Sequence, residues 1–85
     1  MNYSLKIKGS ARKFILKTDK QNRIRLIQAI DNLLIQPYKG TQLKGDLTGL
    51  RRIRVGQYRI IYEIQKKELV VLVVRIGHRK EIYRD

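Results

Sequence analysis

The chain has 85 residues, with 20 Lys and Arg against seven Asp and Glu, for a formal net charge of +13. That length makes one small domain, read as spanning 1–85, near the size at which a single hydrophobic core is just adequate. With no cysteine and a single histidine, disulfides are excluded and a zinc site has no plausible ligand set. No apolar run approaches the roughly 20 residues of a membrane span. The N-terminus, Met1-Asn2-Tyr3-Ser4, lacks the charged start and apolar stretch of a signal peptide, so a cytoplasmic location is expected. So basic a surface attracts polyanions over long range, nucleic acid first among them. An anionic membrane would demand an amphipathic basic helix. The same charge predicts an acidic protein partner that restrains indiscriminate binding.

Tyr3, Leu5 and Ile7 alternate with Ser4, Lys6 and Lys8, the pattern of a strand with one buried face. Gly9-Ser10 breaks it, and Ser10 is placed to cap a short helix through about Lys17, with Phe14 and Ile15 its main apolar residues. Thr18 or Asp19 caps a longer helix to about Gln36, whose apolar residues Ile24, Ile27, Ile30, Leu33 and Leu34 recur at helical spacing. Pro37 ends it. Residues 38–49 read as a loop carrying Gly40, Gly45 and Gly49. Strands follow near 50–55, 58–64 and 69–76, and His78 to Asp85 reads as a polar tail. The fold class is α/β of the α+β type, with the helical hairpin on one face of a mostly antiparallel four-stranded sheet.

A two-residue turn at Gly56-Gln57 sets Val55 against Tyr58, Arg54 against Arg59 and Arg52 against Ile61. Like charges directly opposite one another weaken a sheet, so this arrangement points to an anionic partner. A second turn centred on Lys66-Lys67 sets Ile64 against Leu69, Tyr62 against Val71, Arg59 against Val74 and Tyr58 against Arg75. One face is then nearly all apolar and receives the helices. The other carries Arg52, Arg54, Arg59 and Glu63 beside Ile61, Val70, Leu72, Val74 and Ile76, a cationic patch next to an exposed aliphatic one.

Arg52, Arg54 and Arg59 have the guanidinium forks that suit a phosphodiester and its transition-state charge; the alternative is salt bridging to Glu63 or the C-terminal carboxylate, but one acidic group cannot pair with all three. Lys44, Arg51, Arg75 and Lys80 are further candidate nucleic-acid-binding cations. His78 is either a general acid or base or a plain surface histidine. Tyr83 either meets a nucleotide or covers the aliphatic half of the open face. RNA cleavage requires no metal, because the ribose 2′-hydroxyl attacks the adjacent phosphate once it is deprotonated, aligned and charge-stabilised. No P-loop, nucleophile elbow or nucleotide fingerprint is present, and no cofactor is expected.

Leu43-Lys44-Gly45, Arg52-Ile53-Arg54-Val55, Tyr58-Arg59-Ile60-Ile61-Tyr62, and Gly77-His78-Arg79 followed by Tyr83 together resemble the RelE/ParE toxins of type II toxin–antitoxin modules, over nearly the whole chain. The RelE branch is the more similar, through its basic strand and its terminal arginine and tyrosine. The resemblance implies an endoribonuclease that cuts mRNA in the ribosomal A site. It also implies an acidic cognate antitoxin that covers the site, and contact with operator DNA only through the toxin–antitoxin complex. Carried over, Arg59 holds the scissile phosphate, Arg54 the transition-state charge, Arg79 the leaving oxygen, and Tyr83 the nucleotide. Arg52 stands where the best-known branch has a lysine proposed as general base. An arginine stays protonated and is a poor base, which opens that role to His78 or Tyr83. The alternatives are a ParE-like inhibitor of DNA gyrase, a non-catalytic nucleic-acid-binding module, or a degenerate toxin that retains only antitoxin binding.

Overall fold

The computed structural model describes residues 2–78. Strand β1 (Ser4–Ile7) leads into helices α1 (Gly9–Lys17) and α2 (Lys20–Ile35); strands β2 (Thr41–Gln42), β3 (Leu50–Val55), β4 (Tyr58–Gln65) and β5 (Val70–His78) follow. The sheet order is β1-β5-β4-β3-β2, with β1 parallel to β5 and the remaining pairs antiparallel. The expected helical hairpin on one face is present. The sheet has a fifth strand that alternation does not reveal, because β2 is only two residues long.

Asp19 caps α2, its carboxylate accepting from the Asn22 backbone N–H at 3.2 Å and the Asn22 amide at 2.8 Å. Those donors stabilise the ionised form and hold its pKa below the ordinary value. Thr18 instead closes α1, its hydroxyl donating to the Phe14 carbonyl at 2.7 Å. Arg23 reaches back from α2 and donates to the carbonyls of Ile15, Leu16 and Thr18, where a cation complements the helix dipole. Ser10 does not cap α1; the cap position is Lys8, without a side-chain bond.

The core lies between this hairpin and the sheet. Ala11, Ile15, Leu26 and Ile30 meet Ile60, Val73 and Ile76, and Leu33 meets Tyr62 and Val71. Of the expected α2 stripe, Ile30, Leu33 and Leu34 face inward, while Ile24 and Ile27 are exposed and Leu26 takes the inner position. Two apolar series overlap on this helix, and the one with 26, 30 and 33 in line gives the packed seam.

The second hairpin departs from expectation in two ways. Its turn is the four residues Lys66–Leu69, so Gln65 pairs with Val70, Ile64 with Val71 and Tyr62 with Val73. A β-bulge between Ile61 and Tyr62 then sets Ile61 against Arg75, Arg59 against Gly77 and Tyr58 against His78. The four-residue turn preserves facing, whereas the bulge inverts it for the rest of β5. Ile76 therefore enters the core and Arg75 crosses to the opposite face. The aliphatic patch expected there is not exposed: Ile61 and Val70 are buried, and Leu72 and Val74 are half-buried. Ile61 is flanked by Arg59 and Glu63 along its strand and by Arg52 and Arg75 across it. The methylene stems of such long side chains cover apolar surface. Among the described residues, no helix is long and apolar enough to cross a membrane.

Candidate nucleic-acid interface

The β3–β4 hairpin closes through Gly56-Gln57 as its sequence predicts. Gly56 has φ +60° and Gln57 does not share the positive φ, the backbone pattern of a II′ turn, whose twist matches the flanking strands. The register sets Arg54 opposite Arg59 and Arg52 opposite Ile61. All three arginines face away from the helices, because Ile53, Val55, Tyr58 and Ile60 pack toward them. The bulge in the next pair adds Arg75. Four guanidinium groups thus share one sheet face.

Their environments differ. Arg54 and Arg75 are exposed, while Arg52 and Arg59 are half-buried and the Arg59 Nε is shut off from solvent. Gly77 presents no side chain opposite Arg59, which leaves β5 open at that point. Glu63 lies two residues beyond Ile61 on the same face, and its carboxylate accepts from the Gln65 amide at 3.0 Å. Among the described residues this is a positive surface in which two arginines, Arg52 and Arg59, have reduced contact with water. There, charge-assisted hydrogen bonds to phosphate oxygens are stronger than in bulk solvent.

The other sequence candidates lie elsewhere. Arg51 points to the helix side, donates to the carbonyls of Tyr38 and Gly40 at 3.2 and 2.7 Å, and lies 5.0 Å from the Tyr38 ring centroid. It ties down the connection after α2 and does not join the cluster. His78 belongs to β5, not to a tail, and sits in an aromatic group with Tyr58 and Phe14, at 5.0 and 6.2 Å between centroids. That group is on the helix-bearing face, so His78 and the arginine face are on opposite sides of the sheet. Lys44 is exposed at the start of the turn Gly45–Leu47, in the β2–β3 connection. Arg79, Lys80 and Tyr83 lie outside the described residues.

The edge of the sheet adds residues that sequence reasoning missed. Thr41 pairs with Arg52 and shares the arginine face, and an open cleft of about 330 Å³ is lined by Lys39, Gly40, Thr41, Arg52, Ile53 and Arg54. Only the β2 pairing brings Lys39 and Thr41 there, and two residues carry no periodic signal. The chain closes on the sheet at Gly40. The Tyr62 hydroxyl donates to the Pro37 carbonyl at 2.6 Å and accepts from the Gly40 N–H at 3.0 Å. A Cβ at Gly40 would stand 2.5 Å from that hydroxyl and 2.8 Å from the Arg52 carbonyl.

Comparison with known proteins agrees with this architecture. The chain is 29% identical to the toxin RelG of Mycobacterium tuberculosis over 86 residues, covering 99% of each chain. Its fold matches a chain of the RelBE2 toxin–antitoxin complex of M. tuberculosis with a TM-score of 0.85 at 25% identity, covering 93% of this chain and 100% of that one. It matches the isolated RelE toxin of Escherichia coli with a TM-score of 0.79 at 26% identity, covering 95% and 90%. The family model described as ParE toxin of the type II toxin–antitoxin system matches residues 5–83. The chain therefore belongs to the ParE toxin family, within the RelE/ParE superfamily of type II toxins.

Proposed function

We propose that this toxin is a metal-independent endoribonuclease that cleaves mRNA in the ribosomal A site and so arrests translation. The observation that carries the reading is the set of Arg52, Arg54, Arg59 and Arg75 on one sheet face. Such a cluster weakens the sheet, and its chemistry matches a phosphodiester. In the reaction, the ribose 2′-oxygen bonds to phosphorus as the bond to the 5′-oxygen breaks. The 2′-hydroxyl loses its proton and the departing 5′-oxygen gains one. The products are a 2′,3′-cyclic phosphate and a 5′-hydroxyl end. Arg59, half-buried and central, grips the scissile phosphate, while Arg54 and Arg52 neutralise the charge that grows on its oxygens. Arg79 and Tyr83 are proposed at the leaving oxygen and the nucleotide.

The partner proposed to silence this surface is an acidic antitoxin. Charge complementarity supports it, as does the fold shared with toxins solved in RelBE complexes. Mapping mRNA 5′ ends in a purified translation reaction tests the activity. Codon-phased cuts are expected with the wild type and none with Arg59→Ala, which should remain folded. Persisting cuts with that variant would remove the site assignment. A second reading is inhibition of DNA gyrase, which resemblance to the ParE branch implies; the family model that matches residues 5–83 is that of a ParE toxin. Loss of DNA supercoiling with mRNA left intact would establish it instead.

A further inference from the structure

We infer that the cleft between β2 and β3 is a second phosphate subsite, which holds the backbone of an RNA nucleotide next to the one bound by the arginine face. The inference rests on the nuclease reading for its ligand and on separate observations for its site. The β2–β3 ladder consists of two pairs, Thr41 with Arg52 and Gln42 with Arg51. Beyond Thr41 the chain turns away toward Lys39, while β3 runs on to Val55. The fork between them is the cleft of about 330 Å³, with the cations Lys39, Arg52 and Arg54 and the Thr41 hydroxyl in its walls.

Among the described residues, none that lines this cleft is acidic. Its walls are fixed, because Gly40 is clamped against Tyr62 and the Arg52 carbonyl. Lys39 and Thr41 are exposed at the rim, so a ligand meets them without a rearrangement of the core. Arg52 and Arg54 are successive same-face residues of one strand, about 7 Å apart along it. Arg54 pairs with Arg59 across the hairpin and also lines the cleft. One strand therefore borders both the arginine face and the cleft, which fits consecutive phosphates of a single strand better than one isolated anion. The hydroxyl and ammonium at the rim recognise backbone and carry no base code.

The test measures binding of non-cleavable 2′-O-methyl RNA to the full chain by fluorescence anisotropy across a salt series. A dinucleotide with one phosphate is compared with a longer single strand. Lys39→Gln should weaken the longer strand several-fold and flatten its salt slope by about 0.7, the value of one phosphate contact on single strands. The dinucleotide, which occupies the arginine face alone, should not respond. Thr41→Val should weaken the longer strand with little change in slope, and Lys39→Arg should restore it. Circular dichroism melts identify any variant that fails to fold; if Lys39→Gln does, Thr41→Val carries the comparison.

Wild-type affinity and slope in both Lys39→Gln and Thr41→Val would overturn the subsite. So would weakened binding of an acidic peptide with RNA binding unchanged. Cleavage is scored separately by mapping mRNA ends. Lys39-dependent RNA binding without any cleavage keeps the cleft and removes the nuclease reading. Cleavage with Lys39-independent binding does the reverse.

Discussion

Arg75 stands directly opposite Ile61 in the β4–β5 pair, although Tyr62, the next residue of β4, stands opposite Val73. The residue skipped is Val74, and the bulge it makes inverts the facing of everything beyond it on β5. One irregularity thus sends Ile76 into the core, His78 to the aromatic group with Phe14, and Arg75 to the arginine face. Bulges commonly re-aim side chains beside functional sites, and here the re-aimed side chain is a cation.

Arg75→Ala should lower mRNA cleavage about 10- to 100-fold, the loss of one charge-assisted contact of about 1.4 to 3 kcal/mol. Thermal stability should hold or rise, because a like charge leaves the cluster. Cleavage assays and melting curves on the same preparations check both signs. A fall in stability alongside activity would assign Arg75 to the scaffold.

Arg54→Gln separates function from stability more directly. Arg54 faces Arg59 across the hairpin, and removing like charges placed opposite one another should stabilise the sheet by about 0.2 to 1 kcal/mol. Cleavage should fall at the same time. Denaturant midpoints read the first effect and end-mapped mRNA the second.

Gly40→Ala should cost about 1 to 3 kcal/mol, since its new Cβ must displace the Tyr62 hydroxyl or the Arg52 carbonyl. The backbone at Gly40, with φ −72°, suits alanine, so lack of space is the whole cause. Tyr62→Phe should cost a similar amount, by leaving the Pro37 carbonyl and the Gly40 N–H without their shared partner. Urea unfolding measures both.

The same hydroxyl sets an alkaline limit. Burial raises the Tyr62 pKa above 10.0, outweighing the Gly40 N–H and the Arg51 charge, which lower it. The folded state resists ionisation that the unfolded chain undergoes near its ordinary value. The stabilisation is therefore fully present below pH 10 and is lost as pH rises through the higher folded pKa. Melting temperature followed into that range should fall in the wild type and fall less in Tyr62→Phe.

Arg23→Ala should destabilise by about 1 to 2 kcal/mol, because three carbonyls at the end of α1 lose their donor. Arg23→Lys should recover part of that, as a point charge without the fork. Thermal melts of the two variants give the comparison.

The sequence alone determined the class of fold, the helical hairpin and the β3–β4 register, and its charge pointed to an anionic partner. Each rests on local or periodic signals: the 3.6-residue spacing in α2, the alternation in β1 and β3, the Gly56-Gln57 turn and the net charge of +13. Periodicity could not choose between the two apolar series on α2, which differ only in what they pack against. Nor could it show the four-residue turn at Lys66–Leu69 or the bulge at Val74, since both depend on pairing with β4. The tertiary structure alone placed Arg75 with the arginines, Arg51 and His78 away from them, and Lys39 and Thr41 at the rim. The physical reason is the two-residue alternation of a strand: one inserted residue exchanges its faces, and no residue in the sequence announces it.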